Sequence, residues 1–123
     1  GILEELDLSF FQTFLFNESN RDKASKLEDM YRDQYGLPYE ESIYSQHAVA
    51  QTYDLINILA KAVIQAESVE RSEIREALEN LSSHEGAVKR YEPAFTKDNH
   101  DGLGLKDFRM ARFNKHGQII PIR

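Results

Sequence analysis

A chain of 123 residues with net charge −6, 41% apolar and 29% charged residues has the size and composition of one globular domain or a piece of one. Its acidic balance argues against nucleic-acid binding, which needs clustered basic charge. The absence of cysteine excludes disulfides, thiolate catalysis and cysteine-held metals.

No apolar run approaches the roughly 20 residues that cross a bilayer. The opening GILEELDLSFF has no basic segment, no cleavage pattern and no starting Met, so it is not a signal peptide. The chain is expected to begin inside a longer protein or after a removed tag. Leu6–Phe16 reads as a strand entering a loop. Its Phe10, Phe11, Phe14 and Phe16 are either core or an apolar surface facing another part of a larger protein. Asn17–Asp22 is a turn, with Ser19 or Asn20 capping the helix that follows. That helix spans Asp22–Tyr35, with Ala24, Leu27, Met30, Tyr31 and Tyr35 as its apolar stripe and a solvated face that includes Arg32. Gly36 ends it and Pro38 prevents continuation.

Tyr44–Ala66 is the organising stretch. No Pro or Gly interrupts it. Val49, Thr52, Tyr53, Ile56, Leu59, Ala60 and Val63 share one helical face, and Asp54 falls in a narrow polar arc. The apolar arc exceeds the stripe of about 100° that a surface helix needs, so packing on two sides is expected. Tyr53 is expected to be buried. A helix over Arg71–Leu81 follows, with Ile74, Ala77, Leu78 and Leu81 as its stripe and Ser68 or Ser72 as its cap. From Ser82 the chain reads as loops, with an extended piece at Ala94–Thr96. Leu105–Phe113 alternates as a strand, Asn114–Gly117 makes a hairpin turn, and Gln118–Ile122 returns. The fold class is α/β: three helices, an N-terminal strand and a C-terminal β-hairpin. Alone, such a hairpin is marginal.

Chemistry-bearing patterns are sparse. Lys97–Gly102 has Asn99, Asp101 and Gly102 at calcium-loop positions, but Lys97 and Phe108 occupy the first and twelfth places, which removes the strongest ligands. The four histidines, His47, His84, His100 and His116, show no zinc-site spacing. There is no nucleophile elbow and no glycine-rich phosphate loop. No catalytic residue, metal ligand or cofactor is assigned. Asn17-Glu18-Ser19 and Asn80-Leu81-Ser82 match the glycosylation pattern.

YGLPYEESIYSQHAVAQTYDLINILAKAV, then SEIREALENL, then GAVKRYEPAFTKDNHDGLGLKDFRMARFNKHGQIIPI resembles the C-terminal part of type I periplasmic solute-binding proteins, in particular the branched-chain amino acid receptors of ABC transporters. The resemblance rests on Tyr35, Gly36 and Pro38; on Tyr53 and Asp54; on Ile74, Ala77 and Leu78; on Gly86; on Phe95, Thr96 and Asp98; and on Gly117 and Pro121. The stretch after Gly86 is less glycine-rich than the family pattern, which bears on the hinge geometry. The resemblance implies a partial lobe of a two-lobed α/β receptor that traps a small molecule, such as an amino acid or amide, in its cleft. Residues 1–123 then form one fragment of a solute-binding domain, helical and strand-bearing over 1–82, hinge-like loop and hairpin over 83–123. The implied protein is not an enzyme, is periplasmic or extracellular, and in full length works with ABC transporter membrane subunits. Residues ahead of the Tyr-Asp pair approach the cleft in that family. Tyr44 and His47 are therefore the candidate ligand-binding residues, at a helix start whose free N–H groups suit a carboxylate; the alternative is that both merely pack or face solvent. A free-standing interaction module dimerising through its aromatic strand is the other functional reading. Because Leu6–Phe16, Leu105–Phe113 and Gln118–Ile122 would lack the sheet partners of the whole receptor, the isolated chain is expected to form a homo-oligomer, most simply a dimer.

Overall fold

The structure, a computed structural model, describes residues 8–122. Leu6 and Asp7, where the N-terminal strand is expected to start, lie outside the described residues. The chain divides into two compact units, Gly1–His47 with Gly104–Arg123, and Ala48–Leu103.

The first unit is built on a three-stranded antiparallel sheet in the order β1 (Ser9–Gln12), β4 (Arg109–Phe113), β5 (Ile119–Pro121). Phe10 stands opposite Ala111, and Ala111 opposite Pro121. The three end segments therefore pair with one another, which corrects the expectation that they lack partners, although among the described residues β1 and β5 are each paired on one edge only. The hairpin is set by Asn114, whose Oδ1 accepts from the N–H groups of His116 and Gln118 at 2.9 and 3.0 Å. Gly117 closes it with φ 75°, a left-handed conformation that costs glycine little. Leu105–Asp107, read as the strand's beginning, forms a 3₁₀ turn instead.

β1 is shorter than the predicted strand because the chain turns inward after Gln12. Phe14, Leu15 and Phe16 are buried, and the rings of Phe14 and Phe16 meet edge to face at 4.9 Å, a favoured aromatic geometry. The core reading thus holds for these two rings, whereas Phe11 is 70% exposed. A 3₁₀ turn over Phe16–Glu18 leads to α1 (Asp22–Tyr35). The helix ends at Gly36, in the left-handed region at φ 61°. No side chain caps its start. Ser19 instead accepts from the N–H of Arg21 at 3.4 Å, one residue ahead of the helix.

Two readings of α1 are corrected. Met30 and Tyr35 are exposed, while Arg32 is buried beside Ala24 and Leu27. The fork of its guanidinium explains this. It donates to Glu28 Oε1 at 2.7 and 2.9 Å and to the carbonyls of Pro38 and Glu41 at 2.7 and 3.0 Å. A buried charge persists only when paired and hydrogen-bonded, and here it ties the connector after α1 to the helix. The Tyr39 ring lies 4.6 Å from its Cζ.

α2 (Gln46–Ala66) belongs to the second unit from Ala48 onward and carries a row at four-residue spacing, Ala50, Asp54, Ile58 and Ala62, that is fully buried. Ile56 and Leu59, placed by periodicity on the packed face, are exposed along with Thr52 and Ala60, and Tyr53 is half-buried. One side of the helix is covered where two were expected. α3 (Arg71–Glu79) follows a turn in which Ser68 accepts from the N–H of Glu70 at 3.1 Å, again without a side-chain cap. Ile58, Ala62, Ala77, Leu81, Tyr91 and Ala94 form the core, bordered by Ile74, Leu78, Ala66 and Phe95. A two-stranded ribbon, β2 (His84–Glu85) and β3 (Arg90–Tyr91), lies where loops were predicted. Ala94–Thr96 is no strand; Thr96 and Asn99 close a tight turn through a single bridge.

Candidate functional site

The start of α2 and its surroundings come from a chain reversal. Ser45 holds the left-handed conformation at φ 55°, which is uncommon for a residue with a Cβ. Its neighbours are thereby sent in different directions. Tyr44 is 89% exposed, and His47 is half-buried in the first turn. Gln46 between them turns inward, and its Oε1 accepts from the N–H of Phe16 at 2.9 Å. The helix start is thus anchored to the buried aromatic segment after β1. Tyr44 lies two residues ahead of the helix and His47 in its first turn, and no hydrogen bond, ion pair or ring contact joins them among the described residues.

The most constrained polar constellation lies further along the same helix. Asp54 is fully buried. Its Oδ1 accepts from the N–H of Ala87 at 2.6 Å, and its Oδ2 from the N–H of Val88 at 2.9 Å and the Tyr91 hydroxyl at 3.1 Å. Successive backbone N–H groups of this kind form an anion cradle, here filled by the chain's own carboxylate. Gly86 makes the close approach possible, since a Cβ there would stand 2.3 Å from Asp54 Oδ2. The loop between β2 and β3 is therefore fastened to α2. Helical periodicity alone put Asp54 in the narrow polar arc. The signal that could have found it was its place in the Tyr-Asp pair, together with a glycine beginning the downstream loop. Among the described residues, no group of three His, Asp or Glu side chains is arranged to hold a metal ion.

No protein-family model matches the sequence, and no curated protein matches it either. Solved structures do. A type 1 periplasmic binding protein from Bordetella pertussis Tohama I superposes with a TM-score of 0.76 at 22% identity over 95% of this chain. The chain has the fold of part of a type 1 periplasmic binding protein. An extracellular ligand-binding receptor from Rhodopseudomonas palustris superposes with a TM-score of 0.67 at 17% identity over 94% of the chain. The chain spans 33% of the length of each of these two proteins, so as a periplasmic-binding-protein fold it is a partial one. The three helices, N-terminal strand and C-terminal hairpin read from the sequence are the elements that carry this likeness.

Proposed function

We propose that this chain is part of the extracytoplasmic solute-binding component of an ABC transporter, capturing a small molecule such as an amino acid or amide without chemical conversion. The observation that carries the proposal is the fold likeness, over 95% of the chain, to a periplasmic binding protein, with an extracellular ligand-binding receptor as a second neighbour. The order of motifs from Tyr35-Gly36 to Pro121 supports placing it at the C-terminal end of such a protein. Residues 1–123 are then one fragment of the solute-binding domain, with its helical part up to residue 82 and its loop and hairpin beyond. A periplasmic or extracellular location and ABC transporter membrane subunits as partners belong to the same proposal. No helix among the described residues is long and apolar enough to cross a membrane.

The proposed ligand-binding residues are Tyr44 and His47. The left-handed Ser45 supports this reading, because strained backbone is often found at ligand-contacting turns, and Tyr44 is an exposed aromatic at the positive end of a 21-residue helix. A cleft ligand needs groups from two lobes. Calorimetry of the 123-residue chain against amino acids and amides is therefore expected to show no binding in the micromolar range. The longer protein containing it is expected to bind one of them with a micromolar dissociation constant, weakened about tenfold, or about 1.4 kcal/mol, by Tyr44→Ala or His47→Ala. Micromolar binding by the short chain alone, or a full-length protein indifferent to the whole panel, contradicts the proposal. Full binding by both variants contradicts the site.

A further inference from the structure

The second unit carries an open groove of about 330 Å³ lined by Arg75, Leu78, Glu79, Phe95 and His100. Leu78 and Phe95 border the hydrophobic core, so they present half-buried apolar surface at a place where the core reaches the solvent. The volume is at the lower end of the range that small ligands occupy.

The polar groups around this groove are unequal. Glu79 Oε1 accepts from Arg75 Nε at 2.9 Å and lies 3.0 Å from His100 Nε2. The Glu79 side chain keeps 16% of its surface exposed, against 69% for Arg75 and 54% for His100. The carboxylate is therefore tucked beneath its partners. Donation by Arg75 holds its pKa below the ordinary carboxylate value. What faces the solvent is a guanidinium with five donor hydrogens, of which Glu79 engages that on Nε, and a flat imidazole. A neighbouring depression of about 420 Å³ shares Arg75 and Glu79 and adds Lys97 together with Glu76.

We propose that this groove is a binding site for a small aromatic carboxylate, whose ring lies on Leu78 and Phe95 and whose carboxylate meets the outward edge of Arg75. Planar two-point recognition of a carboxylate is the geometry at which a guanidinium excels. His100 supplies a flat side wall. The groove lies wholly within the second unit, so the 123-residue chain suffices for binding.

Benzoate is the probe, titrated into the 123-residue chain while the ring-proton resonances of Phe95 and His100 are followed by NMR. A saturable shift of both rings is expected, with a dissociation constant of about 1 mM, the strength of a shallow, solvent-open site. Arg75→Ala is expected to weaken binding at least tenfold. Arg75→Gln, which keeps a donor near Glu79 but not the charge, gives the same loss and serves if Arg75→Ala fails to fold. Benzylamine, of similar size and opposite charge, is expected to bind at least tenfold more weakly. Shifts that do not saturate, equal response to benzylamine, or undiminished benzoate binding in both Arg75 variants each overturn the proposal.

Discussion

Asp54 is an acid with no solvent contact, held by three donors. Each hydrogen bond to a charged group contributes about 1.5–3 kcal/mol, and removing one partner strands the others without water. Asp54→Ala leaves two backbone N–H groups and the Tyr91 hydroxyl in that position, so a loss of about 3 kcal/mol or more is expected in denaturant unfolding. Gly86→Ala acts on the same cradle from the other side. Its new methyl would meet Asp54 Oδ2 at 2.3 Å, an overlap that costs about 1–3 kcal/mol as loop and carboxylate move apart. Because both changes act on one contact, they should not add. In the double variant the methyl enters space the carboxylate has left, and the combined loss is expected to fall below the sum of the single losses by at least 0.5 kcal/mol, about the smallest coupling such cycles find between touching residues. Strict additivity would show that the carboxylate and the loop are not in register as described.

The elements differ in how plainly the sequence announces them. α1 is bounded as read from the sequence, at Asp22 and Tyr35, because Gly36 supplies a left-handed stop and Pro38 a barrier, both local signals. Its faces were less legible. Arg32 is buried by carbonyls of Pro38 and Glu41, partners set by how the chain folds back rather than by helical period. α2 shows the same limit more strongly. Apolar residues surround it, so periodicity does not fix which side is covered, and the buried row includes an acid whose partners lie 33 to 37 residues downstream. The ribbon β2–β3 is only two residues per strand, too short to leave an alternation. At the candidate site, Tyr44 and His47 were singled out by their place ahead of the Tyr-Asp pair of the resemblance, whereas nothing local marked Ser45 for a left-handed turn or Gln46 for burial. The assignment of α2's faces is testable with two isomeric residues. Ile58 is 1% exposed and Ile56 is 61% exposed. Ile58→Ala removes buried volume from the core and is expected to cost about 2–5 kcal/mol. Ile56→Ala, on the open side, is expected to stay within about 0.5 kcal/mol of the parent. Chemical denaturation of the two variants decides it, and a reversal of the order would mean that α2 is rotated about its axis.

At the scale of the whole molecule, the open side of α2 becomes a statement about association. The chain spans 33% of the length of its structural neighbours, and it leaves Leu55, Ile56, Leu59 and Ile64 of one helix about half exposed or more, along with Phe11 of β1. Exposed apolar side chains gathered along one helix mark a contact. The pairing of β1 with β4 and of β4 with β5 removes unmet strand pairing as the main driving force, so β-edge exchange is the weaker route. Hydrophobic contact through α2 is the stronger one, at about 25 cal/mol for each Å² of apolar surface covered. The isolated chain is expected to be a homo-oligomer, most simply a dimer, with a light-scattering mass at micromolar concentration of about twice 14.2 kDa. Ile56→Glu with Leu59→Glu places two charges in the exposed stripe without touching the buried row at Ala50, Asp54, Ile58 and Ala62, and should return the mass to that of a monomer while leaving the fold intact. Phe11→Ser, on the sheet, should leave a helix-mediated dimer unchanged. If Phe11→Ser dissociates the oligomer and the helix variant does not, association runs through the aromatic strand. A parent chain that stays monomeric would show that this apolar surface is too small or too scattered to hold two copies together.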